Sequence, residues 1–78
     1  MRFYDLHGVE LSDGCVVRLS RYSKNYYVFH PANKNLKPLT NHERISLDIL
    51  KYSRFRLSVI RAFKSEKAFQ EAIRCENM

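Results

Sequence analysis

From Cys15 the chain alternates. Cys15, Val17 and Leu19 fall on one side of an extended segment, and Val16, Arg18 and Ser20 on the other. A second β-rich run, "YYVFH" (26–30), is dense in aromatic and β-branched side chains that suit a pleated surface. Between the two runs, Tyr22-Ser23-Lys24-Asn25 is short and polar and predicts a hairpin loop. Within the second run Tyr26 and Val28 share one face and Tyr27 and Phe29 the other, which assigns one of these pairs to a core. Upstream, "YDLHGVELSDGCVVRL" (4–19) holds a Gly8 turn and an Asp13-Gly14 turn, with an optional short strand over residues 2–6. Asp-Gly favours a turn because Gly tolerates positive φ and the Asp side chain bonds back to its own backbone.

Beyond the hairpin, "PANKNLKP" (31–38) reads as a polar crossing on the surface. In "LTNHERISLDILKYS" (39–53), Thr40 and Glu43 match a capping box, with Leu39 placed as its hydrophobic staple. Ile45, Ile49 and Tyr52 then share a helical face, although Ile45, Leu47 and Ile49 also alternate as a strand does; the cap favours the helix. "RFRLSVIRAF" (54–63) alternates again, with Phe55, Leu57, Val59 and Phe63 on one face and Arg54, Arg56, Ser58, Ile60 and Ala62 on the other. It predicts a strand, with a continuous helix from residue 41 as the competing reading. The last segment predicts a helix: Ser65 caps it, Glu66 lies in its first turn, Ala68, Phe69, Ala72 and Ile73 form an apolar stripe, and Arg74 meets the negative end of the dipole.

These elements predict an α+β fold in the order β-β-α-β-α: a small antiparallel sheet of three to four strands with two helices packed on one face. Residues 1–78 form a single compact basic domain in this reading. The stretch "DLHGVELSDGCVVRL" also resembles the start of some small Src-homology-type β-barrels, in which a Gly turn and then an acidic-Gly turn precede the first long strand. That resemblance covers about a fifth of the chain and implies no function for it.

The 78 residues allow one modest core, since a chain this short buries only about 60% of the surface that its unfolded form exposes. No apolar run approaches the ~18–20 residues of a membrane span, and "MRFYDLHGVEL" has no apolar h-region, so a cytoplasmic protein with no membrane partner is expected. Cys15 and Cys75 are far apart and match no C-x-x-C spacing. Both read as reduced thiols, with a Cys15–Cys75 disulfide open only if the last helix packs over the first hairpin. His7, His30, His42 and the two cysteines supply no closely spaced ligand pair, so neither metal nor other cofactor is expected.

Charge gives the functional expectation. Fourteen Lys and Arg against eight Asp and Glu leave a net charge of +6, which favours a polyanionic partner (DNA, RNA or a ribonucleoprotein) or an acidic protein surface. The candidate binding residues are Arg18, Arg21, Tyr22, Lys24, Tyr27, Lys34 and Lys37, joined by Arg54 and Arg56 if the third strand lies beside the hairpin. Cations neutralise phosphates, and exposed aromatic rings stack on bases. The competing demand is the core of the sheet, which needs aromatic side chains of its own. No catalytic residue is assigned: Cys15 heads an apolar face, and G-x-S-x-G, P-loop and H-E-x-x-H motifs are absent from the sequence. The expected function is therefore non-enzymatic docking of a basic, tyrosine-rich surface onto nucleic acid or a nucleic-acid-handling complex. The alternatives are an inhibitor of the kind encoded by phages or mobile elements, blocking a host enzyme or defence complex, and a small ribonuclease toxin using His30, Arg18, Arg56 and Tyr27.

Overall fold

The computed structural model describes residues 2–20, 22, 24–48 and 58–76. The strands are β1 (Val16–Arg18), β2 (Tyr27–Val28), β3 (Asn35–Pro38), β4 (Ile45–Ser46) and β5 (Ile60–Phe63), followed by helix α1 (Glu66–Glu76). They form one sheet in the order β4-β3-β2-β1-β5, and every neighbouring pair is antiparallel. Strands β1 to β4 are thus a meander, and β5 returns to the other edge of β1.

Both turns ahead of β1 take the form that the sequence predicts. Gly8 and Gly14 have φ of 78° and 87°, a region that side chains with a Cβ rarely enter. The buried Asp5 carboxylate accepts hydrogen bonds from the backbone N–H of His7 (2.8 Å) and Val9 (2.9 Å), which closes the loop around Gly8. Past the second turn, Gly14 N–H donates to Phe29 O (2.7 Å) and Phe29 N–H to Cys15 O (2.9 Å), so the β1–β2 pairing extends beyond the strands proper.

The alternation of β1 maps onto two cores. Cys15 and Val17 join Leu11, Tyr27, Phe29, Leu36, Leu47 and Val59 in one cluster, with Phe3, Leu19 and Ile45 packed against it. Val16 faces the opposite way, into a second cluster with Val28 and Phe69, flanked by Tyr26, Leu39, Phe63 and Ile73. The central strands are therefore buried on both faces. Both tyrosine-bearing pairs, Tyr26 with Val28 and Tyr27 with Phe29, go to cores, where alternation alone assigned only one.

The two-helix β-β-α-β-α order is not what forms: among the described residues a five-stranded antiparallel sheet and a single C-terminal helix replace it. Thr40 does not cap a helix. Its Oγ1 accepts from the backbone N–H of Tyr26 at 3.0 Å, and Ile45–Ser46 pairs with β3 as strand β4. The alternating reading of Ile45 and Leu47 prevails because both side chains reach the first core, which a helix on the other face could not fill. Residues 49–53 of that segment lie outside the described residues. The polar crossing at 31–38 contains β3, whose single buried anchor, Leu36, sits between exposed Asn35 and Lys37. One inward apolar side chain is too little to show as a period.

In the last strand, Val16 pairs with Phe63, Val17 with Arg61 and Arg18 with Ile60. One step along β1 matches two steps along β5, so β5 carries an extra residue. The irregularity moves Phe63 onto the helix side while Val59 stays in the first core, although the sequence period puts both on one face. Residues 54–57 of the predicted strand lie outside the described residues.

Helix α1 forms as its pattern predicts. Ser65 Oγ accepts from the Ala68 N–H at 3.1 Å, and Phe69 is the fully buried residue of the stripe. The Phe69 ring lies 4.9 Å from that of Tyr26 and 5.4 Å from that of Phe63. Among the described residues no helix is long and apolar enough to cross a membrane.

Candidate nucleic-acid interface

Strands β1 and β3 run the same way, with β2 antiparallel between them, so the loops leaving β1 (19–26) and β3 (39–44) emerge at the same end of the sheet. Hydrogen bonds tie the two loops together. Leu39 N–H donates to Tyr26 O (2.9 Å), Tyr26 N–H to Thr40 Oγ1 (3.0 Å), and the Thr40 hydroxyl to Asn25 Oδ1 (3.4 Å).

This end carries Arg18, Tyr22, Lys24, His42 and Arg44. Tyr22 is 94% exposed, the one exposed aromatic ring among the described residues. Its backbone N–H donates to Ser20 Oγ at 3.2 Å. Lys24, His42 and Arg44 are exposed, and neither Lys24 nor Arg44 has an ion pair among the described residues. Arg18 is half-buried, and its Nε is shielded from solvent with no hydrogen-bond partner among the described residues. The only carboxylate of the two loops is Glu43, and it is already engaged, accepting from the Tyr27 hydroxyl at 3.2 Å.

Tyr27 is the clearest departure from the expected set. It is 2% exposed, so its ring offers no stacking face. It acts instead as a pillar beneath the second loop, donating to Glu43 and accepting from Asn41 Nδ2 (3.2 Å), while Glu43 N–H donates to Asn41 Oδ1 (2.6 Å). Burial pushes the phenol pKa above its ordinary value; the Asn41 hydrogen bond opposes that shift and the Glu43 charge adds to it.

The other expected residues separate. Lys37 lies on β3 with its Nζ 3.4 Å from Glu66 Oε1, tying the start of α1 to the sheet. Lys34 is exposed in the loop at the opposite end, on an open groove of about 690 Å³ lined also by Phe3, Pro31, Asn33 and Leu47. Arg21, Arg54 and Arg56 lie outside the described residues. Of the expected set the structure thus places Arg18, Tyr22 and Lys24 toward one end of the sheet, and adds His42 and Arg44 there. Those two belonged to the predicted helix; the strand-like spacing of Ile45 and Leu47 was the signal that would have placed them in a loop.

Of the residues considered for ribonuclease chemistry, His30, Arg18 and Tyr27 do not meet, and Arg56 lies outside the described residues. His30 pairs its Nδ1 with Asp13 Oδ1 at 2.8 Å at the end of the sheet away from Arg18, and Tyr27 is in the core. Both cysteines are free; Cys15 is fully buried and Cys75 exposed. Burial pushes the Cys15 pKa above the ordinary 9.0, so its thiolate is scarce as well as inaccessible. Native protein treated with a thiol reagent at mild alkaline pH should label Cys75 readily and Cys15 only after denaturation. Equal labelling rates for the two would contradict this packing. Among the described residues no group of three or more His, Cys, Asp or Glu side chains is placed to hold a metal ion.

Comparison with protein-family models, with characterised proteins and with solved structures finds no match to this chain.

Proposed function

We propose that this protein is a non-enzymatic, cytoplasmic nucleic-acid-binding module that uses the loop end carrying Tyr22, Lys24 and Arg44 as its docking surface. The observation that carries the reading is Tyr22, an almost fully exposed ring on the same end of the sheet as cations without ion pairs among the described residues. Folding gains nothing from exposing a phenol, whereas a base or a partner surface does. The net charge of +6 supports a polyanion as that partner. Two free cysteines suit a reducing compartment.

Tyr and Arg also serve as anchors in protein interfaces, so an inhibitor acting on an acidic protein surface is the competing reading. Affinity capture from cell lysate, with and without nuclease, separates them. The proposal expects co-purified nucleic acid and loss of all captured partners after nuclease. A stoichiometric protein partner that survives nuclease would overturn it.

A further inference from the structure

We infer that the loop end takes single-stranded nucleic acid, with the Tyr22 ring stacked on an unpaired base and Lys24 and Arg44 on phosphates of the same strand. The inference rests on the nucleic-acid reading above and names the form of the ligand.

The argument starts from how the domain distributes its aromatic rings. Tyr26 packs on Phe63 and Phe69, Phe3 on Phe29, and Tyr27 is enclosed in the core. Tyr22 alone among the described residues is left outside. A phenol face can stack only on a base whose own face is free, and in a duplex interior those faces are covered by neighbouring pairs. The cations at the same end of the sheet are Lys24 and Arg44 rather than a further row of aromatic rings, so the strand's backbone supplies the remaining contacts as phosphate charge. Hydrogen bonds among Tyr26, Thr40 and Asn25 fix the junction of the two loops in the free protein, so that junction needs no ordering on binding.

The test measures binding of the full chain to an oligothymidine single strand, to a duplex of equal length and to inorganic polyphosphate, which has the charge but no bases. Tyr22→Ala and Tyr22→Phe are compared with the parent. The substitution site is 94% exposed, so folding is unaffected and circular dichroism verifies it. The expected result is tighter binding of the single strand than of the duplex. Tyr22→Ala should weaken single-strand binding by about 5- to 150-fold, with little change for polyphosphate, and Tyr22→Phe should bind like the parent. Equal single-strand affinity for Tyr22→Ala and the parent would overturn the stacking inference while leaving the nucleic-acid reading standing. Absence of binding to both oligonucleotides at low salt would overturn the two together.

Discussion

A Phe69→Ala variant should lose about 3–5 kcal/mol of folding stability, the range for removing a large aromatic side chain from a packed core. Phe69 is 2% exposed and is the residue through which α1 holds the sheet, against Val16 and Val28 and between the rings of Tyr26 and Phe63. Each of those ring pairs adds about 0.5–1.5 kcal/mol beyond the area that it buries. A domain of this length has a total stability of only about 4–12 kcal/mol, so the variant should be partly or wholly unfolded at room temperature. Urea unfolding followed by circular dichroism checks this, with Tyr22→Ala as the exposed control, expected within about 0.5 kcal/mol of the parent. A loss under about 1 kcal/mol for Phe69→Ala would mean that the helix is not the cover of that face.

The parts of this fold that are legible in the sequence are those in which one residue determines one local geometry. Gly8, Asp13-Gly14 and the Ser65 cap each specify a backbone conformation within a few residues, and each takes the expected form. Alternation separates the two faces of β1, Cys15 and Val17 from Val16, although it does not show that both faces are buried. Other parts were hidden because tertiary contacts outweigh local signals. The Thr40–Glu43 spacing satisfies a helix cap on paper, yet Thr40 finds a better-placed donor fourteen residues away in Tyr26 N–H. Strand β3 has only Leu36 to mark it, and the extra residue in β5 reverses the face of Phe63. The candidate site suffered from the same limits. Tyr22 and Lys24 were recognisable as a polar, aromatic loop, but Tyr27 was not separable from them, because a strand buried on both faces has no wet side for periodicity to reveal. His42 and Arg44 were assigned to a helix, and their return to the loop end follows from β4.

Charge reversal at this loop end should have the largest effect on binding. Lys24 and Arg44 are exposed and lack ion pairs among the described residues, so exchanging both for Glu should change stability little. Arg18 is a poorer position for the same test: it is half-buried, and a carboxylate there would meet a desolvation cost of its own. If Lys24 and Arg44 each neutralise one phosphate, log K for a single strand falls with log salt at a slope of about −1.4, from about −0.7 per contact. The doubly reversed protein loses both contacts and adds two repulsive charges.

Fluorescence anisotropy of a labelled single strand across a salt series, for the parent and for Lys24→Glu/Arg44→Glu, tests the docking surface most directly. The account predicts a parent slope of about −1.4 and, for the variant, a loss of binding of at least about tenfold at low salt with an unchanged melting curve. Binding by the variant equal to that of the parent, with the same slope, would contradict it and place the nucleic-acid surface elsewhere on the molecule.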